Sequence, residues 1–135
     1  MKWNIDPSPL PSYIRVDTEG TAVTSEVAEM WDDLLASEYW RPGLSALFDN
    51  RRLQTFSRTG PGVEMTQDAS EYFERRAADI GSSRIAFLTT AHENYPLVRQ
   101  FQISLSTRRM AATIQIFYDE SDAIDWLSSG QASHA

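Results

Sequence analysis

Gly43-Leu44-Ser45-Ala46-Leu47-Phe48-Asp49-Asn50-Arg51-Arg52-Leu53 is the stretch whose reading decides the fold. It follows Pro42, and Pro-Gly is a turn signal. Leu44 to Phe48 form a short, nearly unbroken apolar run. A strand reads this way when helices cover a parallel sheet on both faces. The run stops at Asp49, Asn50, Arg51 and Arg52. Polar groups at the carboxyl end of a buried strand sit where open α/β sheets place their binding sites. The stretch therefore predicts a central strand and a candidate site at its end.

Upstream, Val27, Met30, Trp31, Leu34 and Leu35 recur at helical spacing and give one apolar face. Thr24 is placed to cap that helix, with Glu26 near its positive end. Before it, Tyr13 to Thr18 alternate as a strand, and Glu19-Gly20 is expected to turn the chain. Trp3 to Ile5 read as a short edge strand, and Pro7, Pro9 and Pro11 force an extended loop after it. The short connection between these first two strands requires an antiparallel pair.

Downstream, residues 53 to 65 show no period and are rich in Gly, Pro and polar groups, which predicts a functional or mobile loop. Thr66 then reads as a cap for a second helix carrying Ala69, Tyr72, Phe73, Ala77 and Ile80, with Gly81 ending it. Ile85 to Thr89 form a second buried strand. The loop through His92 leads to Pro96 and a third helix with Leu97, Val98, Phe101 and Leu105. Ala112 to Tyr118 alternate as a strand, and Asp119 caps a last helix carrying Ala123, Ile124, Trp126 and Leu127. The order is β-β-α-β-α-β-α-β-α. It predicts an α/β fold with a mixed, mostly parallel sheet of about five strands whose first strand is antiparallel.

The 135 residues suffice for one core, expected over 1–127, with 128–135 as a flexible C-terminal tail. Hydrophobic residues at 41% and charged residues at 23% exclude wholesale disorder. The absence of cysteine excludes disulfides and thiolate chemistry, and agrees with a cytoplasmic setting. The net charge of -7 argues against nucleic-acid and anionic-membrane partners. No apolar run approaches the roughly 18 residues of a membrane-spanning helix, so stable membrane insertion is not expected. The amino terminus lacks the apolar core of a signal peptide.

Three places in the chain resemble the STAS domain, the fold of the anti-sigma factor antagonists. The resemblance is to the bacterial group described as SpoIIAA-like or STAS/SEC14-like. Trp40-Arg41-Pro42-Gly43 leading into Leu47-Phe48-Asp49-Asn50-Arg51-Arg52-Leu53 is similar to the family's "PG…L.D.R.L" pattern. Arg84-Ile85-Ala86-Phe87-Leu88 is similar to its "R.A.V" fourth strand. Ile116-Phe117-Tyr118-Asp119, continuing through Ala123 to Trp126-Leu127, is similar to its "VF.D…A..WL" ending. The resemblance implies a STAS-like fold and a non-catalytic regulatory role in protein interaction. Its lipid-binding side implies a carrier or sensor of small molecules as the alternative. Phosphorylation-switched antagonists carry D-S-[ST]-G where the third strand meets the second helix. That junction here, Asp49 to Thr66, lacks the tetrapeptide and holds only the hydroxyls Ser57, Thr59 and Thr66.

In the expected sheet, Asp49, Asn50, Thr89, Thr90, His92 and Asp119 follow strands and share one rim. An Asp-His pair can serve acid-base chemistry. The simpler reading makes Asp119 a helix cap, Asp49 an acceptor for strand-end amides and His92 a loop residue. No ligand spacing suggests a metal, no G-x-S-x-G surrounds Ser57, and Gly60-Pro61-Gly62 lacks an amide that a phosphate cradle needs. No catalytic group, cofactor or metal is therefore expected. Between Arg41 and Gly62, Arg41, Arg51, Arg52 and Arg58 face one carboxylate, Asp49. Such a patch suits an anionic ligand or an acidic partner face, unless the arginines pair with acidic residues of neighbouring helices. The candidate partner- or ligand-binding residues are Asp49, Asn50, Arg51, Arg52, Ser57, Arg58, Thr59, Thr66 and His92. A protein partner, an anionic or apolar small ligand, and a homodimer are the associations this reading allows.

Overall fold

The computed structural model describes residues 1–21, 24–54, 71–90 and 111–132. Five strands form one sheet in the order β1-β2-β3-β4-β5: β1 (Lys2–Asp6), β2 (Ile14–Thr21), β3 (Ala46–Gln54), β4 (Arg84–Leu88) and β5 (Thr113–Phe117). β1 pairs antiparallel with β2, and every other neighbouring pair is parallel. The described helices are α1 (Thr24–Ala36), α2 (Ala77–Ile80) and α3 (Glu120–Ala132). The expected third helix from Pro96 lies outside the described residues.

β3 is buried on both faces, as its apolar run predicts. Ala46 and Phe48 point to a core made with Ile14, Val16, Met30, Trp31, Leu34, Phe73 and Ile80. Leu47 points the other way, toward Ala86, Leu88, Ala123 and Leu127. α1 and the segment 71–80 thus cover one face, and α3 covers the other. Right-handed crossovers that step steadily in one direction put their helices on the same face. α3 follows the last strand, makes no crossover, and is free to cover the opposite side.

The first core is aromatic. Trp31 stacks obliquely on Phe48 at 4.7 Å between ring centroids and meets Phe73 edge-on at 4.6 Å. Two polar handles of this layer have partners. The Trp40 indole N–H donates to the Asp79 carbonyl at 2.8 Å. The Tyr72 hydroxyl donates to Asp32 of α1 at 2.6 Å. Burial and that acidic partner push the Tyr72 phenol above its ordinary pKa.

Four expectations are corrected. Glu19-Gly20 does not turn the chain: both lie in β2, with Gly20 at a φ of 93°. β3 does not stop at Asp49 but runs to Gln54, so Leu53 and Gln54, expected in the loop, belong to the strand, and the rest of the expected loop lies outside the described residues. The two corrections share a cause, because the longer β2 supplies backbone partners for Arg52 to Gln54. Polar side chains do not end a strand whose neighbour continues beside it. The second helix, expected without a break up to Ile80, turns at Arg76 between a helical stretch 71–75 and α2. The Arg76 N–H is there shared between the carbonyls of Tyr72 and Phe73. Residues 128–132, expected as tail, continue α3, where the Ser129 hydroxyl donates to the Trp126 carbonyl at 3.0 Å.

Candidate functional site

β3 holds the site because its two neighbours end at different heights. Asp49 is the last β3 residue paired to β4, opposite Leu88, while pairing to β2 continues to Gln54. α3 lies over β3, β4 and β5. A concavity of about 610 Å³ opens on β1, β2 and the end of β3. β1 contributes Lys2, Trp3 and Asn4 to its lining. β2 contributes Arg15, Asp17, Thr18 and Glu19, and β3 contributes Asp49, Arg51 and Arg52.

A register shift shapes this wall. Asp17 pairs with Asp49, but Glu19 pairs with Arg52, so β3 carries one more residue than β2 over the same span. A β-bulge of this kind re-aims side chains. Asn50 turns to the α1 side, where the Thr18 hydroxyl donates to its Oδ1 at 2.7 Å. Asp49 and Arg51 remain together on the other face, and the Arg51 guanidinium grips Asp49 through Nε and Nη2, both at 2.9 Å.

Arg15 completes the arrangement. Its Nη2 donates to Asp49 at 2.6 Å, its Nε to Asp17 at 2.9 Å, and its Nη1 to Glu120 at 2.8 Å. Arg51 reaches the same Glu120 oxygen at 3.3 Å. Glu120 is the first residue of α3, so the network ties that helix to β2 and β3. Its centre is half-buried: the side chains of Arg15 and Asp49 are 19% and 13% exposed. Charged pairs held in fixed bidentate geometry away from bulk water are stronger than isolated surface pairs.

Partial burial alone would raise the Asp49 pKa. The Arg51 hydrogen bonds, from side chain and backbone, and the charges of Arg51 and Arg15 outweigh it and hold the carboxyl below its ordinary value. A depressed folded-state pKa contributes stability that is present above the unfolded value and lost as pH falls through the folded one. The network should hold at neutral pH and weaken below about pH 4, the ordinary aspartate range. Asp49→Asn should flatten the acid limb of a Tm-versus-pH curve. An unchanged limb would show that Asp49 is not coupled to folding.

Among the described residues no group of three or more His, Cys, Asp or Glu is placed to hold a metal, and no helix is long and apolar enough to cross a membrane. Of the sequence-derived candidates, Asp49, Arg51 and Arg52 line the concavity and Asn50 backs it. Ser57, Arg58, Thr59, Thr66 and His92 lie outside the described residues. Thr89, expected on the same rim, donates to the Thr90 carbonyl at 3.2 Å. Asp119 caps α3 by accepting from the Ser121 and Asp122 backbone N–H groups. Arg51 pairs partly with α3, as the alternative reading of the basic patch had it. Lys2 and Arg52 make no ion pair with a described residue.

Sequence reasoning missed Arg15, Asp17 and Glu120. The alternation of β2 carried a signal for the first two: Ile14 and Val16 face the core, so Arg15 and Asp17 face away from it. Nothing local marks Glu120, which lies 105 residues from Arg15.

No family model matches the sequence, and no curated protein matches it. Among solved structures, a match is an uncharacterized protein of the DUF3478 family with a SpoIIAA-like fold from Shewanella loihica PV-4. The alignment covers 93% of this chain and 92% of that one, with a TM-score of 0.56 and 18% identity. The chain therefore has a SpoIIAA-like fold. Identity this low speaks for the fold alone, and function has to be read from the site.

Proposed function

We propose that this domain is a non-catalytic regulatory module of the cytoplasm that docks a charged segment of a partner protein in the concavity on β1, β2 and β3. The observation that carries the reading is the state of the charges there. Asp17, Asp49 and Glu120 are each engaged by Arg15 or Arg51, which keeps Asp49 ionised and leaves it ill-suited to exchange protons near neutral pH. Lys2 and Arg52, which make no ion pair with a described residue, can meet an acidic partner group, and Glu19 beside them a basic one. Complementary charges of this kind steer encounter and set register. Switching through D-S-[ST]-G does not apply, because the sequence lacks it.

A second reading is a carrier or sensor of a small polar ligand. The volume of the concavity favours it, since small-molecule sites span about 300–1,000 Å³. Among the described residues Trp3 is the sole apolar one in the lining, which favours a polar or anionic guest over a lipid.

Affinity capture from the source cell, run in parallel with native mass spectrometry, separates the two readings. The module reading expects a protein partner retained by the wild type and weakened about tenfold by Arg52→Glu, with Tm unchanged. Tenfold corresponds to roughly 1.4 kcal/mol, the scale of a charged contact in an interface. A co-purifying small molecule lost in the same variant supports the carrier. A catalysed turnover abolished by Asp49→Asn in a folded protein would overturn both.

A further inference from the structure

Among the described strands β1 lies at the edge of the sheet, bonded to β2 on one side. Its residues Lys2-Trp3-Asn4-Ile5-Asp6 read as a chemical palindrome: cation, apolar, amide, apolar, anion. We propose that β1 pairs antiparallel with β1 of a second copy about a two-fold axis at Asn4, joining the two sheets into one.

In that register Lys2 stands opposite Asp6 of the second copy, and by symmetry the pair occurs twice. Trp3 stands opposite Ile5, also twice, and Asn4 opposite Asn4. Directly opposed residues share a sheet face, so the charged pairs lie on the concavity side and the apolar pairs on the α1 side. Opposite charges and aromatic–β-branched pairs are the cross-strand combinations that stabilise a sheet. Lys2 and Asn4 are exposed, while Trp3, Ile5 and Asp6 are half-buried, so each keeps surface for a neighbour. Parallel pairing would set Lys2 beside Lys2, and a two-residue slip would leave Asp6 without its cation. The charges therefore select one register. Among the described residues no strand pairs with the outer side of β1, which runs beside β2 in regular register without a bulge and meets no proline before Pro7. Such an interface is isologous and closes at two copies. The inference rests on β1 alone and not on what the concavity binds, although Lys2 and Asn4 would bring the two concavities together at the seam.

A single strand pair buries little area, so the dimer is weak and dependent on concentration. Sedimentation velocity up to about 1 mM chain, the affinity of a marginal complex, tests it. The wild type should reach twice the chain mass. Lys2→Glu alone and Asp6→Lys alone should each weaken self-association about tenfold or more, because both symmetric pairs become repulsive. An equimolar mixture of the two variants should dimerise again, since every pair in the mixed dimer is complementary. Asp6 also accepts the Ser8 N–H at 2.9 Å. The melting temperature of Asp6→Lys is therefore checked, and amide exchange of wild-type β1 at low and high concentration gives a second readout. Slower exchange in β1 at high concentration supports the pairing. A wild type that stays monomeric throughout, a mixture that does not recover, or protection gained at β5 instead of β1 would overturn it.

Discussion

Phe48→Ala is expected to lower the free energy of unfolding by about 3–5 kcal/mol, the range for large aromatic truncations in packed interiors. Phe48 has no exposed surface. Its ring lies 4.7 Å from Trp31 and 5.6 Å from Phe87, so it joins α1 to the two central strands. Removing it opens a void among rigid rings that cannot close without moving a backbone, which places the cost toward the upper end. Chemical denaturation monitored by circular dichroism measures it. A loss below about 1 kcal/mol would mean that β3 does not carry the centre of the core. Phe48→Leu refills much of the volume and should cost clearly less.

Gly81→Ala should be nearly as damaging, at about 2–4 kcal/mol, although it adds a single methyl group. Gly81 has φ 71° and ψ -152°, a region that is close to glycine-only and costs other residues roughly 1–3 kcal/mol. A Cβ there would also sit 2.7 Å from the Gly43 backbone nitrogen and 3.1 Å from the Pro42 carbonyl carbon. Those atoms are held in place, because the Gly43 N–H donates to the Ile80 carbonyl at 2.9 Å. The end of α2 and the turn before β3 therefore touch backbone to backbone, and overpacking such a contact costs on the order of 1–3 kcal/mol. Gly43→Ala is a useful contrast: its φ is also positive, at 92°, but the nearest atom to an added Cβ is the Ser82 hydroxyl oxygen at 3.8 Å. It should show the conformational penalty without the clash. Equal melting temperatures for the two variants would remove the close approach as the reason for Gly81.

The stop signal at Gly81 was legible for a local reason, since glycine after a helical stripe ends a helix. That the same glycine also makes room for a distant turn was not legible, because Gly43 lies far along the chain. The candidate site divides in the same way. Asp49, Arg51 and Arg52 stood out as polar residues after an apolar strand. Arg15 and Glu120 did not, although four of the network's five ion pairs involve one or both of them.

The sequence by itself determined the order of the described strands and helices, the double burial of β3 and the placement of α1's apolar face. These follow from periodicity and short-range turn chemistry, which act over a few residues. The similarity in fold to a SpoIIAA-like protein agrees with that reading at 18% identity, because binary patterning constrains architecture more than it constrains residue identity. The tertiary structure alone decided how far β2 and β3 run, where the register shifts, and which carboxylates meet which arginines. Strand length depends on whether a neighbour offers backbone partners, and charge pairing depends on which elements the crossovers bring together. Arg15 finds Asp49 and Glu120 only because β2 lies beside β3 and α3 folds back over the opposite face.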